Sequence, residues 1–248
     1  MKKYLTFIAI CILSLFSLSA QDTLKNFYFK DEWSIGIYAY NNGWGFDYRS
    51  GKFLNPKSKK IWEIGYKNIK HPKEYRQESL WLNGKYYVYG KLNKCYTFYF
   101  GIGKQHTLIP KNGDKTVEIK LLGIIGTNLA LLKPIYYEVY NPKDSSYIYS
   151  KFDISQQPGT ILAEAPFSMG LEETKFIPGI YSKLALNVDF SKKFTSINAV
   201  EIGIRGALFL KKLNIMSQVE NYNFFMALFL SYRLGKIYQG NRRQVIFD

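Results

Sequence analysis

Cysteine and histidine are almost missing from this chain. Its 248 residues include two of each. Cys11 lies in an apolar leader directly after Ile10, where a lipidation signal wants a small residue, so lipidation is not expected. Cys95 is then the single thiol of the remaining chain, which excludes an internal disulfide framework. It reads as a small strand residue. Two histidines leave little for catalysis or metal binding, and no metal-ligand spacing appears. His71, with Glu74 and Ser79 nearby, has the composition of a base with a nucleophile and an orienting group. Three such residues in one polar segment are common by chance, so His71 reads as a surface residue. Long apolar runs are also missing. After residue 20 none reaches eighteen residues, so no membrane-crossing helix is expected. Acidic residues are scarce, 19 against 34 Lys and Arg. That balance points to an anionic partner.

What is present begins with an export signal. Lys2 and Lys3 precede the apolar run Tyr4 to Leu18, and Ser19-Ala20 supplies small residues before Gln21. This is the pattern of a cleaved secretory signal peptide over residues 1–20. Leu18 is not ideal at the third position before that cut, so a cut after Ser19 stays open. Residues 21–248 have the length of a single domain. An exported chain seldom meets nucleic acid, so the expected partners are outer-membrane lipids. Lipopolysaccharide phosphates, or an acidic envelope polymer, suit the basic balance. No cofactor is expected.

The strongest signal is alternation. Phe224, Met226, Leu228, Leu230, Tyr232 and Leu234 fall on one face of a period-two strand, and Phe225, Ala227, Phe229, Ser231, Arg233 and Gly235 fall on the other. Seven further segments carry the pattern: Trp33 to Tyr40, Trp44 to Arg49, Ile61 to Lys67, Cys95 to Lys104, Val117 to about Leu131, Gly179 to Phe190 and Asn198 to Phe209. The eighth runs from Tyr222 to Leu234. With an export signal, this predicts an all-β fold: an antiparallel up-and-down transmembrane β-barrel of eight strands. A soluble periplasmic β-sandwich is the alternative, because two packed sheets also alternate. The longest connections, 68–94 and 132–178, both follow odd strands. They are expected outside the cell, with the short turns in the periplasm, where His106 would lie. Leu80 to Tyr89, with Asn83-Gly84 at its centre, reads as a hairpin. It either projects from an outer loop or adds two strands to make ten.

The faces opposite the apolar sets carry a charge network: Asp47, Arg49, Glu63, Lys67, Glu118, Lys120, Lys183, Asp189, Glu201, Arg205 and Arg233. Signs are nearly balanced, as enclosed charges require. With Tyr99, Phe225 and Phe229 also inward, the reading is a filled lumen rather than a solute path. Gly101-Ile102-Gly103 resembles half of a nucleotide fingerprint, but no helix follows, and small residues on an inward face explain it better. Trp33, Trp44, Trp62, Tyr48, Tyr66, Tyr181, Phe190 and Tyr222 fall near strand ends, where amphipathic rings suit a membrane interface. The segment 67–94 is basic and 138–175 acidic, so the two either stand solvated or pack as a cap. Lys57, Lys59, Lys60, Lys192 and Lys193 make the periplasmic turns basic and form a candidate docking surface for an envelope protein.

The ending Leu230-Ser231-Tyr232-Arg233-Leu234-Gly235-Lys236, the Asn42-Gly43-Trp44-Gly45 hairpin, the Lys- and Tyr-rich strands and the Ser19-Ala20-Gln21 signal resemble small outer-membrane β-barrel proteins of Bacteroidota. PorT-like barrels of a secretion apparatus belong to that group. The resemblance implies an outer-membrane barrel and a non-enzymatic structural or accessory role in envelope assembly or secretion. A small-solute channel and a lipid-modifying enzyme are the alternatives.

Overall fold

The computed structural model describes residues 30–80, 85–111, 116–141, 146–154 and 160–239. The signal peptide expected over 1–20 lies outside them. Eight long strands form the barrel: β1 (Lys30–Tyr40), β2 (Gly43–Asn55), β3 (Ser58–Ile69), β6 (Asn93–Ile109), β7 (Glu118–Pro134), β11 (Lys175–Asp189), β12 (Ser196–Phe209) and β13 (Phe224–Gln239). They close in the order β1-β13-β12-β11-β7-β6-β3-β2, with every neighbouring pair antiparallel. Closure is sealed from Lys30↔Gln239 to Tyr40↔Phe229, so the sheet has no free edge.

Alternation explains the walls. Ile35, Ile37, Phe46, Ile64, Phe100, Ile125, Leu184, Ile202, Leu228 and Leu230 point outward and are exposed. Glu32, Asp47, Arg49, Glu63, Lys183, Glu201 and Arg233 point inward and are buried. This is the reverse of a water-soluble fold, where large apolar side chains go in and charges go out. A contiguous apolar outer wall of this extent marks an interaction surface.

One end of the barrel carries short turns and the other the long connections. Even at the loop end, β1 and β2 are joined tightly through Asn41-Asn42. Gly43 follows with φ 147, and a Cβ there would sit 1.9 Å from the Asn68 carbonyl oxygen. The rest of the loop end folds into small sheets. β4 (Arg76–Glu78) pairs with β5 (Tyr86–Val88) outside the barrel, which settles the strand count at eight. Within the described residues the inner rung is the Ser79 N–H to the Lys85 carbonyl, and residues 76–78 form the strand, with Leu80 outside it. The expected Asn83-Gly84 turn lies outside the described residues. A second small sheet comprises β8 (Tyr136–Asn141), β9 (Ser146–Lys151) and β10 (Ile161–Glu164), with β8 in the middle. In the sequence that stretch reads as loop.

These connections pack as one cap. Tyr87, Ile135, Tyr137, Val139, Phe152 and Ile161 make its small core. Tyr137 Oη donates to the carbonyls of Val88 (2.7 Å) and Lys91 (2.9 Å), tying the second long connection to the first. Burial pushes that hydroxyl's pKa far above its ordinary value, so it stays a donor at any ordinary pH. Opposite charge contributes one described link between the segments, Lys94 Nζ to Glu164 Oε2 at 2.6 Å. The other ion pairs described in the cap, Lys91–Glu74 and Lys151–Glu173, join residues of the same connection. Apolar burial therefore holds the cap more than charge does.

Candidate functional site

Six of the eleven charges expected in the lumen meet at its centre. Arg49 grips Glu201 through two bonds, Nη1 to Oε2 at 2.9 Å and Nη2 to Oε1 at 3.1 Å, and reaches Glu63 Oε2 at 3.2 Å. Arg233 Nη2 lies 2.5 Å from Asp47 Oδ1. Lys183 Nζ lies 2.5 Å from Glu63 Oε2 and 3.6 Å from Asp47 Oδ2. Three carboxylates thus face three cations, drawn from β2, β3, β11, β12 and β13. The group is formally neutral.

Its hub escaped the sequence reading. Tyr38 of β1 donates its hydroxyl to Asp47 Oδ2 at 2.6 Å and accepts from Arg233 Nη2 at 2.5 Å and from Lys183 Nζ at 3.3 Å. The signal was available, because Tyr38 shares a face with Ser34, which accepts from Arg233 Nη1 at 3.0 Å. Tyr181 is a correction. Expected at a membrane interface, it is buried and donates to Glu63 Oε1 at 2.9 Å. It lies two residues before Lys183, so strand parity turns it inward with that lysine.

The other five expected charges divide between the two ends. Toward the turn end, Lys120 Nζ lies 2.8 Å from Glu118 Oε2 and 3.1 Å from Asp189 Oδ2. Toward the loop end, the Arg205 guanidinium lies between two rings, 3.8 Å from the Tyr99 centroid and 4.1 Å from that of Tyr181. It donates to Asn128 Oδ1 at 3.1 Å. Lys67 Nζ sits 4.1 Å from the Tyr40 centroid, with no described carboxylate paired to it. Both cations rest on aromatic faces, whose quadrupole attracts them.

Of the candidate docking lysines, Lys57, Lys60, Lys192 and Lys193 are exposed. Lys59 is not. It is 5% exposed and its Nζ lies 2.5 Å from Glu32 Oε1. β3 begins at Ser58, so Lys59 shares the inward face of Ile61 and Glu63. His71 is also corrected, from surface to buried. Its ring is parallel to Tyr222, Nδ1 accepts from the Lys73 N–H, and Nε2 lies 3.3 Å from the Glu220 carbonyl oxygen. With both nitrogens engaged, it anchors the cap.

An apolar cluster lies above this network. Residues 210–223 cross the loop end, where Ile215 accepts backbone bonds from Leu92 and Asn93. Leu213 and Ile215 are fully buried there and join Ile69, Val88, Cys95 and Leu132 in one apolar cluster. Among the described residues no group of three His, Cys, Asp or Glu is placed to hold a metal ion.

No family model matches the chain, and no curated protein matches it. Among solved structures it is similar to the Neisserial surface protein NspA, at 10% identity over 84% of this chain and 96% of that one, with a TM-score of 0.41. It is similar also to Ail, the attachment invasion locus protein of Yersinia pestis, in complex with the heparin analogue sucrose octasulfate. That likeness has 7% identity, covers 86% of this chain and 100% of that one, and scores 0.41. A third is the N-terminal β-barrel domain of Pseudomonas aeruginosa OprF, at 7% identity, 84% and 97% coverage and 0.38. Likenesses this slight leave the barrel's own geometry to carry the functional reading.

Proposed function

We propose that this chain is a non-enzymatic β-barrel of the bacterial outer membrane, delivered by its signal peptide. It serves as a structural or accessory component of an envelope assembly or secretion system. The observation that carries the reading is the inverted burial, an apolar outer wall around a self-neutralising charge network. Such a wall suits lipid, and spanning strands of about 9–11 residues cross a bilayer. All eight barrel strands here reach that length. A filled lumen beneath that apolar cluster leaves the rims as working surfaces. At the turn end, Lys57, Lys60, Lys192 and Lys193 offer a basic surface to an acidic envelope protein. The resemblance to PorT-like barrels of Bacteroidota favours a secretion machine as the setting.

The test combines three measurements. The protein should fractionate with the outer membrane and change gel mobility on boiling. Pure protein in planar bilayers should give no steady conductance. An envelope partner should copurify at low salt and be lost at high salt, because exposed charges are screened beyond about 10 Å at roughly 0.1 M. Charge reversal of the four exposed lysines to Glu should abolish capture. Steady single-channel conductance without a partner would replace this reading with a channel.

A further inference from the structure

On the outer wall at the loop end lies a groove that the filled lumen does not involve. Its floor is aromatic. Trp44 of β2, Tyr66 of β3, and Tyr96 and Phe98 of β6 point outward there, with Tyr66 at 5.5 Å from Trp44, 6.1 Å from Tyr96 and 5.5 Å from Phe98, centroid to centroid. The segment 165–174 folds back as a roof. The Ala165 N–H donates to the Tyr136 carbonyl, and successive turns follow through Met169, Leu171 and Thr174. Gly170 has φ 81, and a Cβ there would lie 3.0 Å from the Pro134 carbonyl oxygen, so the roof presses on the end of β7. Phe167 sits 6.3 Å from Tyr96, centroid to centroid. Between floor and roof is a cavity of about 540 Å³, also lined by Leu171 and Lys133.

The charge at its upper edge is unbalanced. Lys94 and Lys133 are directly opposite in the β6–β7 register. Like charges directly opposite on one sheet face repel. Lys94 is answered by Glu164 at 2.6 Å. Lys133 has no described carboxylate in contact: its Nζ has the Pro134 carbonyl at 3.4 Å and the Phe167 ring centroid at 4.9 Å, and the one Glu164 charge acts on it only from beyond ion-pair distance. The residue is nevertheless buried. A buried cation beside a like charge gains from an incoming anion.

We propose that this groove binds one phosphate-bearing anionic lipid of the outer leaflet, for which phosphatidylglycerol is the probe, with an acyl chain between the aromatic floor and the roof and the phosphate at Lys133. This rests on the reading of the chain as a membrane barrel. Two features select that occupant. The groove is continuous with the apolar outer wall, which a chain enters from the bilayer. Its cation stands near the strand ends, at the level where headgroups would lie.

The experiment uses full-length protein with Trp33, Trp62 and Trp81 changed to Phe, leaving Trp44 as reporter. It is reconstituted in phosphatidylcholine vesicles doped with brominated phosphatidylglycerol or brominated phosphatidylcholine. The anionic lipid should quench Trp44 at the lower mole fraction. Lys133→Gln should raise its half-quenching fraction about fivefold, as loss of one cation near an anionic headgroup implies. Phe167→Ser should weaken quenching by both lipids. Equal quenching of the parent by the two lipids, or an unchanged preference in Lys133→Gln, overturns the proposal. So does full protection of Trp44 by inorganic phosphate alone, or no effect of Phe167→Ser. Protein that never inserts, with no heat-dependent gel mobility, overturns the barrel reading and the groove with it; inserted protein without lipid preference overturns the groove alone.

Discussion

Removing Glu201 alone should damage the barrel far more than removing it together with Arg49. The wild-type centre holds Asp47, Glu63 and Glu201 against Arg49, Lys183 and Arg233, three charges of each sign. Glu201→Leu leaves two carboxylates against three cations, with Arg49 stripped of its bidentate partner. Breaking one side of a buried pair costs about 3–5 kcal/mol. Arg49→Met leaves three carboxylates against two cations and should cost about as much. The double variant returns to two against two. Glu63 keeps Lys183 at 2.5 Å and the Tyr181 hydroxyl at 2.9 Å, and Asp47 keeps Arg233 at 2.5 Å. Replacing a whole buried pair with apolar side chains of similar volume is often close to neutral. The double variant should therefore be no less stable than either single, a coupling of about 3 kcal/mol or more. Equilibrium urea unfolding in lipid vesicles, followed by tryptophan fluorescence, measures all four corners of the cycle. Additive losses would refute the claim that neutrality of the enclosed group governs its stability.

The outer wall and the glycine face give two simpler expectations. Leu228, 63% exposed on the outward face, should lower the folded yield in vesicles when changed to Arg, by up to roughly 2–4 kcal/mol and less the nearer it lies to the interface, whereas Leu228→Phe should be tolerated. Gly101→Ala would place a Cβ 2.1 Å from the Tyr181 hydroxyl, displacing that ring from Glu63, and should lower stability by about 1–3 kcal/mol in the same unfolding assay.

Period-two alternation carried the barrel, because each wall residue is constrained by the lipid-like outside or the polar inside. It failed where the constraint changes. Reading β2 as ending at Arg49 stopped at Ser50-Gly51-Lys52, where the apolar set lapses, yet the strand continues to Asn55. Gly51 lies inward there, and a Cβ on it would meet the Glu32 side chain at 2.9 Å. The same truncation on β3 left Lys59 in a turn; extending the strand to Ser58 assigns its face and its partner. Tyr38 was missed because charges, not hydroxyls, drew attention to the lumen. The β8–β9–β10 sheet was missed for a different reason. Its core is formed with residues from another connection, such as Tyr87, and no local pattern announces a partner about fifty residues away.

Part of the excess of Lys and Arg over Asp and Glu has a physical location among the described residues. The central lumen group takes none of it, and Lys59 and Lys120 are matched by Glu32, Glu118 and Asp189. The central group neutralises itself, whereas toward the loop end Lys67 and Arg205 rest on aromatic rings. Exposed cations stand at the turn end, Lys60, Lys192 and Lys193 among them, and Lys133 lies at the loop-end edge. Both places lie outside the central lumen group, one at the short-turn end and one at the loop end. The strands between them are bonded across the lumen by Tyr38, Arg49 and Arg233.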